Sequence, residues 1–178
     1  LGPGALRPDG VVAAATLFYL GGVHGPSGAL RRMLRRAGGL VPRECVVGAI
    51  FTAGCVLPAL SAGRTGSGDL IALTAPACAL ADLAWLNVRA IGHWEGDIRR
   101  GKGILGPARC LAGLALAGAA ALAAAEPRAA ALVAMAAASA LLLMLLDRFR
   151  ERLEPVTMRA AADLVLLTPL LLAGFEIR

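Results

Sequence analysis

Between Arg128 and Asp147 no charged side chain interrupts the chain; residues 129–146 are Ala, Leu, Val and Met with a single Ser. Such a run excludes a half-buried strand, which alternates polar and apolar residues, and a β-barrel span, which alternates over roughly ten residues. It is close to the roughly 20 apolar residues that a helix needs to cross a hydrocarbon core. Similar stretches recur along the chain. They predict helical spans at 11–23, 42–62, 69–93, 107–125, 128–146 and 158–175. Composition fits that pattern, with 58% hydrophobic and 17% charged residues against about 45–50% and 25% in soluble domains. The expected fold is all-α: one polytopic transmembrane bundle of about six spans over residues 1–178. Pro58 is expected to kink the second span and Pro169 to break the sixth.

Charge sorts the connections. Arg31, Arg32, Arg35, Arg36 and Arg43 lie between the first two spans. Arg99, Arg100, Lys102 and Arg109 lie between the third and fourth, and Arg148, Arg150, Arg152 and Arg159 between the fifth and sixth. The alternate connections and the two ends hold one each: Arg7, Arg64, Arg128 and Arg178. Cytoplasmic loops retain Lys and Arg, so the basic loops are expected inside and both ends of the chain outside. The net charge of +6 follows from those loops. No stacking aromatics interleave with the arginines, so nucleic acid is not an expected partner. Cys45, Cys55, Cys78 and Cys110 form no C-x-x-C pair and read as small packing residues. Gly113, Gly118, Ala134 and Ala138 are expected to let the fourth and fifth spans approach closely. The chain opens on Leu1 without a signal-peptide pattern, which leads to the expectation that it is part of a longer protein.

Ionisable groups inside a span are costly and face the bundle interior, a wet cavity or a partner charge. Asp82 falls in the middle of the third span, with Asn87 and Arg89 after it; Asp163 lies inside the sixth. Arg159, four residues before Asp163, is placed to pair with it. The densest polar cluster follows the third span: His93, Trp94, Glu95, Asp97, Arg99, Arg100 and Lys102. Helical spacing puts Arg89, His93 and Asp97 on one face. Glu95 and Asp97 could hold a cation and the basic groups a phosphate. The plainer reading is an interfacial belt, with tryptophans at headgroup depth and solvated charges beyond.

This order of features resembles the C-terminal part of the UbiA-type intramembrane prenyltransferases. In that family a basic loop leads to a Pro and then a Gly opening a span, as in Arg35-Arg36, Pro42 and Val46-Val47-Gly48. The next span ends in a Trp, an Asp and further Asp residues entering a basic loop. Trp85, Asn87, Asp97 and the run Arg99-Arg100-Gly101-Lys102 resemble it, with Asn87 where the first Asp is expected and Glu95 about one residue off register. Asp163 and Thr168-Pro169 resemble the last span of some UbiA-like bacterial membrane proteins. The resemblance implies that the chain covers the fourth to ninth spans of a nine-span protein of the bacterial cytoplasmic membrane. It implies Mg²⁺ held by Asn87, Glu95 and Asp97, a prenyl diphosphate held by Arg99, Arg100 and Lys102, and a lipophilic acceptor. Two departures bear on activity: the family's first Asp-rich motif is not present in residues 1–178, and the second has Asn for Asp. Two other functions fit the residues: a transporter or channel with Asp82 and Asp163 along its path, and a non-catalytic membrane scaffold.

Overall fold

A computed structural model describes residue 10 and residues 43–61, 69–96 and 103–168. These form five helices: α1 (Arg43–Ser61), α2 (Asp69–Trp94), α3 (Leu105–Leu122), α4 (Pro127–Arg148) and α5 (Pro155–Leu166). No strand occurs among the described residues. Four of the expected spans coincide with helices to within two residues at most ends. The first, at 11–23, and the end of the sixth beyond 168 lie outside the described residues, as do Pro42 and Pro169. Two of the described helices, α3 and α4, are long and apolar enough to cross a membrane. Among the described residues, two of the six expected spans meet that test of length and composition. The apolar part of α1, Cys45–Leu57, is shorter, and α2 carries Asp82 and Arg89 in its length.

Proline starts two of the helices. Pro127 and Pro155 stand in the first turns of α4 and α5, where a missing N–H costs nothing and the fixed φ favours the helix. Pro76 sits inside α2, leaving the carbonyl one turn before it without its usual donor. Helix α1 runs through Pro58 to Ser61.

Helices α3 and α4 form an antiparallel hairpin, and α2 packs on α4 with α1 and α5 beside it. The α3–α4 seam is built from small side chains. Ala108, Ala112, Ala115 and Ala119 are buried on α3, and Ala130, Val133, Ala136, Ala137 and Ala140 on α4. Leu111 and Leu143 are buried with them, but most of the large apolar side chains point the other way: Leu114, Leu116, Leu141, Leu142 and Leu145 are exposed. In water each such leucine, about half exposed, forgoes about half of the roughly 1.5–3 kcal/mol that full burial gives. In lipid the outward leucine costs nothing, and helices associate through close packing of small residues. The inverted arrangement supports a bilayer as the solvent of this hairpin.

Of the residues expected to bring these helices together, Gly118 lies on the seam and Ala134 packs against the core, whereas Gly113 does neither. Gly113 is exposed, and a Cβ there meets nothing within 4 Å. Gly118 approaches Val133 at ordinary contact distance, 3.7 Å, and Ala134 and Ala138 are half-buried. The close backbone approach occurs instead between α1 and α2. A Cβ on Gly48 would stand 3.1 Å from the Ala81 carbonyl oxygen and 3.4 Å from the Trp85 nitrogen. Ser139, fully buried on α4, donates its hydroxyl to the Met135 carbonyl at 2.9 Å, so its polarity is satisfied within its own helix.

Candidate functional site at the tip of α2

Helix α2 ends where Gly96 takes φ +79°, the left-handed conformation that commonly closes a helix and that glycine adopts without a Cβ clash. Its last turn is capped by the Glu95 N–H on the Ile91 carbonyl at 3.0 Å. This stop sets His93, Trp94 and Glu95 against the end of α4 and the start of α5.

Three side-chain contacts join the elements there. The Trp94 indole N–H donates to Asp147 Oδ1 at 2.8 Å. Arg150 Nη1 donates to His93 Nε2 at 3.0 Å; a guanidinium has no acceptor, so the imidazole nitrogen accepts. The same Nε2 lies 4.0 Å from Asp147 Oδ1. The Arg159 guanidinium forms an ion pair with Glu95. Helices α2 and α4 therefore run parallel, with their C-terminal ends together. Between these contacts lies a cleft of about 180 Å³. Its lining combines His93, Glu95, Arg150 and Arg159 with the apolar Ile91, Leu153 and Met158.

The candidate residues separate in space. Asn87 is 2% exposed, inside the packed helices, and its Oδ1 has no hydrogen-bond partner among the described residues. Glu95 is exposed and turned to Arg159. Eight residues of helix put about 12 Å of rise between the two, whereas Mg²⁺ binds oxygens at about 2.0–2.1 Å. Asn87 and Glu95 do not share one ion. No group of three or more His, Cys, Asp or Glu that could hold a metal occurs among the described residues. Asp97, Arg99, Arg100 and Lys102 lie outside them. Arg89 sets its guanidinium 5.5 Å from the Trp85 ring centroid, a cation–π distance. Asp82 and Asp163 are both exposed, and neither lines the cleft. The expected Arg159–Asp163 pair is replaced by Arg159–Glu95, because α2 brings a carboxylate from another helix closer than the local spacing does.

Asp147, Arg150 and Leu153 are site residues that sequence reasoning passed over. Asp147 was marked only by position, as the first charge after the long apolar run. A second opening, of about 150 Å³, lies some 20 Å away along α2 and has apolar walls that include Pro76, Leu80 and Leu132. Set against protein-family models, curated proteins and solved structures, the chain matches none.

Proposed function

We propose that this chain is part of a polytopic membrane protein related to the UbiA-type prenyltransferases, binding a prenyl diphosphate at the cytoplasmic face. The observation that carries this reading is where α2 ends. Gly96 stops the helix at the end of the bundle where Arg148, Arg150, Arg152 and Arg159 collect, and the chain continues from there into the basic run Arg99-Arg100-Gly101-Lys102. Only Arg128 marks the opposite end of the α3–α4 hairpin. This asymmetry supports basic loops inside. Diphosphate then falls to Arg99, Arg100 and Lys102, whose charge offsets that of the phosphates, while the apolar bundle shelters the isoprenoid chain.

In this reading Mg²⁺ rests on Asp97, and the chain's own part is charge, orientation and exclusion of water. Binding without transfer is the minimal form of the activity, since the carboxylates Glu95 and Asp97 are fewer than the family's motif holds. The test is labelled prenyl diphosphate given to the full-length protein in membranes. Saturable binding that is lost on neutralising Arg99, Arg100 and Lys102 together supports the reading. Binding indifferent to those three residues, with no labelled lipid product, sinks it.

A further inference from the structure

The cleft at the tip of α2 has a chemistry that the basic run does not account for. Its two guanidiniums are both occupied by acceptors at the C-terminal end of α2 and just past it: Arg150 by His93 Nε2 and Arg159 by the Glu95 carboxylate. Arg159 is 58% and Glu95 43% exposed, so their pair is solvent-screened and weakly held. The same cleft has an apolar part, lined by Ile91, Leu153 and Met158. We infer that this cleft binds the phosphate headgroup of an anionic membrane lipid, and that Glu95 is a resident competitor which the phosphate displaces from Arg159.

The chemistry follows from the groups present. Guanidiniums only donate, in a planar fork that matches phosphate oxygens. A phosphate monoester brings more charge and more acceptors than one carboxylate, so it can take both Arg159 and Arg150. The cleft, at about 180 Å³, is smaller than the 300–1,000 Å³ typical of sites that enclose a whole ligand. It therefore suits a headgroup whose chain leaves the site. The apolar part offers that chain its first contact, and Trp94, held by Asp147, also lines the cleft, as tryptophans do at headgroup depth. A soluble phosphate would use the arginines and leave the apolar part empty. The inference needs the membrane setting but not prenyl transfer: every residue in it lies at the C-terminal ends of α2 and α4, just after them, or on α5.

The resemblance makes Glu95 a metal ligand, and the cleft makes it a competitor; the two roles predict opposite effects of Glu95→Gln. The chain has two tryptophans, Trp85 and Trp94, so a Trp85→Phe background leaves Trp94 as reporter. The full chain in maltoside micelles is titrated with short-chain phosphatidic acid, phosphatidylcholine of the same chain length, and inorganic phosphate. Phosphatidic acid is expected to shift Trp94 emission saturably, phosphatidylcholine not at all, and inorganic phosphate to bind at least about tenfold more weakly. Glu95→Gln is expected to tighten phosphatidic acid binding roughly two- to fivefold. Arg150→Gln and Arg159→Gln are each expected to weaken it about tenfold, with Arg159→Lys intermediate because it keeps charge and loses the fork. Native mass spectrometry of the same variants reads bound lipid directly where the tryptophan background alters folding. Glu95→Gln that weakens binding or leaves it unchanged overturns the competitor role. Phosphatidylcholine binding as well as phosphatidic acid, or inorganic phosphate as tightly as the lipid, overturns the headgroup site. Phosphatidic acid binding in a protein that handles no prenyl diphosphate would keep this inference and remove the proposed function.

Discussion

Trp94 donates its indole N–H to Asp147 Oδ1 at 2.8 Å, tying together the ends of two parallel helices across 53 residues of sequence. Asp147 is 10% exposed, so its carboxylate depends on this bond more than on water. A hydrogen bond to a charged group contributes about 1.5–3 kcal/mol. Asp147→Ala is expected to destabilise the bundle by about that amount. Trp94→Phe should cost at least as much, since it strands a largely buried carboxylate rather than a neutral N–H. Chemical unfolding of the two variants and the double variant in detergent checks this. A coupling of about 1 kcal/mol or more is expected, and additivity would remove the bond from the account.

Gly48 is held where α1 meets the backbone of α2. A methyl group there would press on the Ala81 carbonyl oxygen at 3.1 Å, and a helix backbone has little room to yield. Gly48→Ala is expected to cost about 1–3 kcal/mol, as overpacking does. Gly113→Ala, where a Cβ meets nothing within 4 Å, is the matched control. It should be neutral or stabilise by about 0.5–1 kcal/mol, the ordinary gain of alanine over glycine in a helix. Thermal unfolding of both proteins in the same detergent reads the difference. Equal effects at the two glycines would mean that α1 does not sit against α2 in this way.

Gly96 ends α2 with φ +79°. An L side chain in that conformation costs about 1–2 kcal/mol, with asparagine tolerated better than most. Gly96→Ala is expected to loosen the tip of α2, and Gly96→Asn to keep most of its order. Hydrogen exchange at the amides of Glu95 and Gly96, which bond back to Ile91 and His93, should rise in the alanine variant and change little in the asparagine variant.

Helix bounds were legible in the sequence because charge and proline punctuate the apolar runs. The expected 42–62 and 69–93 became Arg43–Ser61 and Asp69–Trp94, each bounded by residues that favour an end. The contacts at the tip of α2 were not legible. Glu95 and Arg159 are 64 residues apart, and spacing along one helix offers only local pairs, so Arg159 was matched with Asp163. Which side chains face the seam was also hidden in α4. Its residues are apolar around the whole circumference, so no stripe tells one face from another. What could have been read is Gly96. A glycine just past the last apolar turn is a common helix stop, and it fixes where Glu95 must stand.

The α3–α4 hairpin makes the sharpest claim about the solvent around this chain, because a bilayer reverses the usual ranking of substitutions. Ala137 is 1% exposed in the seam, whereas Leu142 is 41% exposed on the outer face of the same helix. In a soluble bundle, trimming a leucine and adding bulk to a buried alanine both have recognisable costs tied to water. Here Leu142→Ala is expected to change stability in detergent by less than about 0.5 kcal/mol, since lipid is as apolar as the leucine it replaces. Ala137→Leu is expected to cost about 1–3 kcal/mol by forcing the helices apart. Leu142→Arg carries the argument to insertion. A charge at the centre of a span adds about 2.5–3.5 kcal/mol on insertion scales and one about 7 Å from the centre, as at Leu142, adds less, so the variant should lose a measurable but partial fraction of α4 from the membrane in a glycosylation-site insertion assay. Wild-type insertion by Leu142→Arg, together with a large loss of stability in Leu142→Ala, would mean that the outer leucines face another part of a water-soluble fold and not lipid.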